Sequence, residues 1–202
     1  MSMTELSRDY IMLSFALTEC RRALDNLADV DQLVSVKEER QPGVEVRENL
    51  RIFDRIRLGL QMAANVSRLF WPPRNTGRGA HLRSLTGLPE THGLSDRTLR
   101  NHIEHLDERL DAWTANSPRP FLTIELVLHD DYPQTGAKRD EIVRATAIVY
   151  DAKSQSVQLF GDIFSLPALR SDLEDVLQKV SHSLITLTSG PGWTSVTGAT
   201  GP

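Results

Sequence analysis

The chain has 202 residues, enough for one or two domains, and its 40% hydrophobic and 25% charged residues are close to globular averages. A net charge of −4 excludes a polycation that would hold nucleic acid by overall charge. The single cysteine, Cys20, excludes a disulfide framework and a cysteine-rich zinc site. Because Cys20 lies in an apolar helical pattern, we expect it to be a small buried side chain.

The sequence also indicates the cellular compartment of the protein. The N-terminal segment has no basic region followed by an apolar region, so it does not have the pattern of a signal peptide. No uninterrupted apolar run approaches the ~20 residues that cross a bilayer. These observations predict a cytoplasmic protein that does not use a membrane as a partner.

Two amphipathic helices are predicted in the first third of the chain. The first covers about residues 7–28, where apolar side chains recur at helical spacing, and a charged segment ending in Pro42-Gly43 indicates a turn. The second covers about residues 46–71 and ends at Pro72-Pro73, because proline lacks the backbone donor and restricts the residue before it.

The next segment, residues 75–93, contains four glycines, several arginines and Pro89. This composition predicts a long loop with a short turn around 81–85, and long loops in compact domains are usually functional or disordered. A third helix is predicted to begin after Leu94 and to end near residues 116–118. Its apolar stripe has spacings of four, three, four and three: Leu99, Ile103, Leu106, Leu110 and Trp113.

Composition changes after residue 117. Residues 121–128, 143–150 and 156–160 read as strands, and 151–155 as a hairpin loop. A last helix is predicted after Pro167, and the Ser-, Thr-, Gly- and Pro-rich tail from 186 to 202 is predicted to be disordered. The predicted architecture is α+β. A helical bundle over 1–117 carries a small antiparallel sheet and a closing helix over 118–185.

The segment whose side chains most strongly suggest a catalytic site is Arg100-Asn101-His102-Ile103-Glu104-His105. Asn101 and His105 are four residues apart, so on a helix they share a face. A histidine moves protons near neutral pH, an arginine holds a phosphate or stabilises developing negative charge, and an asparagine orients either one. Such a set could support RNA transesterification by the 2′-hydroxyl without a metal ion.

This segment resembles the signature helix of the HEPN superfamily (higher eukaryotes and prokaryotes nucleotide-binding). The signature is an arginine, often followed by Asn, Asp or His, with a histidine after four to six intervening residues. Here it stands as Arg100-Asn101-x-x-x-His105. The resemblance implies a helical bundle and a dimeric, metal-independent ribonuclease of the kind found among toxins and defence effectors. It assigns catalysis to Arg100 and His105, with Asn101 in support.

Other interpretations of this segment remain open. Arg97 and His102 also fit the bare spacing, and Arg74-Asn75 fits with His81 at six intervening residues. The helix could equally present a solvated face, because Arg100–Glu104 and Glu104–Glu108 would then be surface neighbours of little energetic weight. A metal site at His102, Glu104 and His105 is not predicted, since the segment has no second set of ligands.

A second candidate feature is an excess of arginine. Residues 40–100 hold 11 Arg and 5 acidic residues, and 11 − 5 leaves an excess of 6. Arg74, Arg78 and Arg83 lie in the glycine-rich segment, and arginine with glycine suits phosphate backbones and stacked bases. We therefore predict that these three residues bind RNA. For Arg47, Arg51 and Arg55 we expect pairing with nearby acidic residues instead.

The sequence thus predicts an RNA-binding protein that cleaves RNA without a metal or cofactor. His105 would act as general base or acid, Arg100 would hold the scissile phosphate, and Asn101 would orient the site. Two alternatives stay open: a non-enzymatic module that binds a protein partner, and a nucleotide sensor built on the same bundle. Convergence of Arg100 and His105 on one cleft would favour catalysis. Divergence on an open surface would favour the module.

Overall fold

The computed structural model describes residues 3–35, 44–116, 124–128 and 137–189. Within this part, the elements follow in this order: α1 (Met3–Ser35), α2 (Val44–Phe70), α3 (Thr76–Thr86), α4 (Thr98–Glu104), α5 (Leu106–Asn116), β1 (Glu125–Leu128), α6 (Ala137–Arg144), β2 (Ile148–Asp151), β3 (Ser156–Leu159), β4 (Asp162–Ser165) and α7 (Leu166–Ser189). A short 3-10 turn, Gly93–Ser95, precedes α4. The predicted mainly helical α+β fold with a small sheet and a closing helix is confirmed.

The core follows from two apolar stripes with spacings of three and four residues. On α1 the fully buried residues are Leu13, Ala16, Cys20, Ala23, Leu27 and Val30. On α7 the buried residues are Leu166, Leu169, Leu173, Val176, Val180 and Ser183. This period keeps one face of each helix in the core, and α1 packs against both α2 and α7. Cys20 is buried as expected, and burial raises the pKa of its thiol to about 12.

Close contact between α1 and α2 depends on Gly59. A Cβ atom at this position would lie 2.9 Å from Leu27 on α1, so only glycine permits the observed approach. Polar contacts extend α1 beyond the predicted end at residue 28. The Asp29 carboxylate lies 3.2 Å from Arg55 on α2, and that of Asp31 lies 2.9 Å from Arg170 on α7. The predicted turn at Pro42-Gly43 lies outside the described residues.

The sheet has the order β1-β2-β3-β4 and is mixed, so the prediction of an antiparallel sheet is wrong for one pair of strands. β1 runs parallel to β2, with Glu125 opposite Ile148. The helix α6 lies between them in the chain, as parallel strands require a crossover. The predicted strand over 143–150 is therefore wrong at its start, because α6 continues to Arg144.

The remaining strand pairs are antiparallel. The hairpin predicted between β2 and β3 is confirmed, and Ile148 pairs with Leu159. β4 was not predicted. It follows β3 through a two-residue turn in which Phe160 (φ 52°) and Gly161 (φ 101°) both have positive φ, as tight hairpin turns require. Apolar residues of the sheet and of the helices form one continuous core.

The predicted long loop over 75–93 is wrong for residues 76–86, because Thr76–Thr86 forms α3, whereas residues 87–92 do form a loop. The role of Gly79 is to let α3 pass close to the end of α2, and not to make the segment flexible. A Cβ at Gly79 would lie 2.5 Å from Pro72 Cδ and 2.6 Å from the carbonyl oxygen of Phe70. At the other end of the chain, residues 186–189 belong to α7 rather than to a disordered tail, and 190–202 lie outside the described residues. None of the described helices combines the length and apolar character needed to cross a membrane.

Candidate functional site

The segment from Thr98 to Asn116 was predicted as one helix, and the structure divides it in two. α4 ends at Glu104, and His105 adopts a non-helical backbone (φ −122°, ψ 42°) before α5 begins at Leu106. No glycine or proline lies near this interruption. We attribute it to tertiary contacts that fix α4 from both sides, through Arg100 towards α2 and through His102 towards β4.

Arg100 is buried, with only 3% of its side chain exposed. Its Nη1 donates a hydrogen bond to the carbonyl oxygen of Trp71 at 3.2 Å, and its Nε lies 3.7 Å from a carboxylate oxygen of Glu104. The same oxygen is 3.1 Å from Nε of Arg68. Burial lowers the pKa of the Arg100 guanidinium, and Glu104 opposes that shift. Arg100 therefore belongs to a network under α4, not to the surface expected of a solvated helix face.

His105 lies at the interruption and is half-exposed, with 51% of its side chain accessible. Its Nδ1 is 3.6 Å from a carboxylate oxygen of Glu108, one turn further along α5. Its Nε2 has no polar partner among the described residues, which leaves that nitrogen for a bound molecule. At 3.6 Å the imidazole and the Glu108 carboxylate are within ion-pair range, and a carboxylate beside one ring nitrogen can orient an imidazole. The sequence did not single out Glu108 for this role.

Asn101 is half-buried, and its carbonyl oxygen accepts a hydrogen bond from the amide of His105 at 3.1 Å. Its side chain makes no hydrogen bond with the described residues. Arg100 lines an apolar pocket of about 200 Å³ between α2, β4 and the start of α7, and neither Asn101 nor His105 is part of that lining. The structure thus places Asn101 and His105 one turn apart but does not bring Arg100 and His105 into one cleft.

The predicted RNA-binding arginines surround the C-terminal end of α2. Arg78 donates a hydrogen bond to the carbonyl oxygen of Arg68 at 3.1 Å, and Arg83 donates one to that of Phe70. These two carbonyls lie in the last turn of α2, where a helix leaves them without intrahelical partners, and Arg100 bonds the carbonyl of Trp71, the residue that directly follows the helix. Arg74 is exposed and makes no polar contact within the described part of the chain.

Three histidine–aspartate pairs were not predicted. Nε2 of His81 lies 2.9 Å from Asp9, Nε2 of His92 lies 3.4 Å from Asp175, and Nε2 of His102 lies 2.7 Å from Asp162. Each pair joins residues at least 60 positions apart in the sequence. No local spacing could have signalled them, since only the tertiary fold brings the partners together.

His92 connects the segment before α4 to α7. Its ring stacks on Trp71 with centroids 5.1 Å apart, and its Nδ1 accepts a hydrogen bond from the amide of Leu94. The two carboxylates that face its Nε2 differ. Burial raises the pKa of Asp172, whereas a hydrogen bond from Lys179 lowers the pKa of Asp175.

Within the described ranges, no group of three or more His, Cys, Asp and Glu side chains is arranged to hold a metal ion. Comparison of the chain with protein-family models, with curated proteins and with solved structures gives no match. The function is therefore inferred from this chain's own residues.

Proposed function

We propose that this protein binds RNA and cleaves it without a metal ion, with His105 as the proton-transfer group. The observation that carries the proposal is the position of His105. The imidazole is half-exposed at the interruption between α4 and α5, and Glu108 faces one of its two ring nitrogens. The resemblance of Arg100-Asn101-x-x-x-His105 to the HEPN signature points to the same chemistry.

In this mechanism, Nε2 of His105 accepts the proton of a ribose 2′-hydroxyl. The 2′-oxygen forms a bond to the adjacent phosphorus, and the bond from phosphorus to the 5′-oxygen breaks. The leaving 5′-oxygen takes a proton from water or from the second histidine of a homodimer. The products carry a 2′,3′-cyclic phosphate and a 5′-hydroxyl, so protons and electron pairs balance without a redox partner.

The contacts of Arg100 argue for a different role from the one that the sequence suggested. Its guanidinium is occupied by the Trp71 carbonyl and by Glu104, so it is poorly placed to hold the scissile phosphate. We assign it as a positioning residue that fixes α4 and, through the chain, the backbone at His105. Asn101, with a side chain free of other described partners, is the better candidate to donate a hydrogen bond to a phosphate oxygen.

The proposal is tested by incubating labelled RNA with purified protein in EDTA. We expect wild-type protein to cleave and the His105→Ala variant to be at least ~100-fold slower, since general acid–base catalysis commonly contributes that much. His182→Ala is the matched control, because His182 is an exposed histidine on α7, away from this segment. Equal rates for wild type and His105→Ala, or no cleavage by wild type, would overturn the proposal.

A second candidate is a non-enzymatic module that binds a protein partner. It is favoured by the separation of Arg100 from His105 and by two apolar side chains, Ile11 (65% exposed) and Phe15 (47% exposed), one turn apart on α1. Under this alternative, wild-type protein does not cleave RNA. A folded Phe15→Asp variant would then lose partner binding, whereas His105→Ala would keep it.

A further inference from the structure

A pocket of about 400 Å³ lies between α4, α5, α6 and the β3–β4 turn. Three features of its lining are chemically distinct: two arginines, two aromatic rings and one His–Asp pair. In the order of these features, the residues are Arg109 and Arg144, Trp113 and Phe160, and His102 with Asp162. Its volume is in the range of small-molecule sites.

The charge of the pocket favours an anion. Arg109 is exposed and forms no ion pair with the described residues. Arg144 uses its Nε to donate to the carbonyl oxygen of Asp140 at 3.1 Å, and its terminal nitrogens make no described contact. Asp162 is the one acidic residue in the described lining, and its carboxylate is engaged by His102 at 2.7 Å. The two guanidinium groups are therefore available to an incoming phosphate.

Trp113 and Phe160 form the aromatic wall of this pocket, and the backbone at Phe160 is in an unfavourable conformation. Phe160 has a positive φ of 52°, a backbone conformation that costs a bulky residue of order 1 kcal/mol and that Gly or Asn would adopt more easily. Its ring lies 5.8 Å from that of the buried His102, with an interplanar angle of 29°. The turn thus fixes a phenylalanine in the pocket lining, which also includes the half-buried Trp113 of α5. Aromatic rings that line a pocket can stack on nucleobases.

The pocket also lies next to the proposed cleavage position. The amide of Arg109 donates to the carbonyl oxygen of His105 at 2.9 Å, so Arg109 follows His105 by one helical turn. Trp113 follows Arg109 by a further four residues within α5, so these two side chains share a face of the helix. A strand bound at His105 would therefore meet Arg109 first and the aromatic wall next.

We infer that this pocket binds one nucleotide of the RNA strand beside the bond that is cleaved. Arg109 and Arg144 hold its phosphate, and Trp113 and Phe160 hold its base. The identification of the ligand as RNA rests on the proposed function, but binding at the pocket is measurable without cleavage.

The test uses a fluorescein-labelled 2′-O-methyl RNA oligonucleotide, which lacks the nucleophile and remains intact, and follows its anisotropy with full-length protein. We expect Arg109→Ala and Arg144→Ala each to weaken binding about tenfold, as the loss of a charge-assisted phosphate contact does. Arg21→Ala removes an exposed arginine on α1 and is the matched control, with affinity within twofold of wild type.

An abasic oligonucleotide of the same length separates the two halves of the pocket. Trp113→Ala should weaken binding of the base-containing strand at least fivefold and leave the abasic strand unaffected, because only a base can stack. The arginine variants should weaken binding of both strands. Trp113→Phe, which keeps a ring, should bind with intermediate affinity, and thermal unfolding of each variant shows that the fold is retained.

Wild-type affinity in both arginine variants, or no binding by wild-type protein, would overturn the inference. Its failure is distinguishable from that of the proposed function. Binding that depends on Arg109 and Arg144 without any cleavage would leave the pocket standing and remove the nuclease. Cleavage that depends on His105, together with full affinity in both arginine variants, would leave the nuclease standing and remove the nucleotide pocket.

Discussion

The guanidinium of Arg100 and the backbone carbonyl of Trp71 are joined by a hydrogen bond of 3.2 Å that fastens α4 to the end of α2. The two residues are 29 positions apart, and the bond is buried. It explains why the conspicuous arginine of the Arg100–His105 segment points into the protein and not towards solvent.

Replacing Arg100 is therefore expected to affect stability first. Arg100→Ala leaves the Trp71 carbonyl and Glu104 without this partner, and we expect the free energy of unfolding to fall by about 3 kcal/mol. Denaturant unfolding monitored by circular dichroism measures the change. Arg97→Ala, an exposed arginine at the start of the same helix, should change stability by less than about 0.5 kcal/mol. A loss of RNA cleavage in Arg100→Ala without loss of stability would show that Arg100 acts directly in the site.

The two glycines of α3 should respond oppositely to alanine. A Cβ at Gly79 would meet the ring of Pro72 and the carbonyl of Phe70, neither of which can move freely, so Gly79→Ala should destabilise by about 2 kcal/mol or more. A Cβ at Gly77 meets nothing within 4 Å, so Gly77→Ala should stabilise by up to about 1 kcal/mol through helix propensity. Thermal unfolding of both variants measures the two changes in stability. Equal effects would mean that α3 does not cross the end of α2 as described.

Replacing Asp172 or Asp175 by asparagine should change the free energy of unfolding at pH 7 in opposite directions. Burial raises the pKa of Asp172 in the folded state, so folding binds extra protons between the ordinary carboxyl pKa of about 4 and the raised value. Stability falls as pH rises through that window. Asp172→Asn should consequently be more stable than wild type at pH 7, with the difference vanishing below about pH 3.5.

Asp175 serves as the matched comparison on the same helix. Its hydrogen bond from Lys179 lowers its folded pKa, so its contribution is present above the ordinary value and is lost as pH falls through the lowered one. Asp175→Asn should therefore be less stable than wild type at pH 7, and the two should converge at low pH. Chemical denaturation at several pH values measures both. A shift of stability in the same direction for both variants at pH 7 would contradict these opposite environments of Asp172 and Asp175.

Much of the helical core could be predicted from the sequence, because the apolar stripes of α1, α2 and α7 report directly on burial. The errors arose where tertiary contacts override composition. Asp29 and Asp31 look like the polar end of a helix, yet Arg55 and Arg170 extend α1 past them. Four glycines suggested a loop over 75–93, yet Gly79 is needed for a tight helix crossing. The parallel pairing of β1 and β2 has no local signature.

The candidate site was predictable only in part. The spacing of Asn101 and His105 predicted a shared helix face, and the structure joins their backbones by a hydrogen bond but ends α4 before His105. The burial of Arg100 could not be foreseen, since its partner is a backbone carbonyl and carries no sequence signal. The lining of the pocket at Arg109 was equally hidden, because α5, α6 and the β3–β4 turn come together only in the fold.

The central claim is that the imidazole of His105 transfers the proton, and chemical rescue tests it most directly. The measurement is the rate at which a labelled RNA acquires a 2′,3′-cyclic phosphate end in EDTA, for wild type and for His105→Gly, with and without added imidazole. We predict that His105→Gly is at least ~100-fold slower than wild type and that imidazole restores part of the rate. Failure of wild-type protein to form the cyclic phosphate, or a His105→Gly rate equal to that of wild type, would contradict the account.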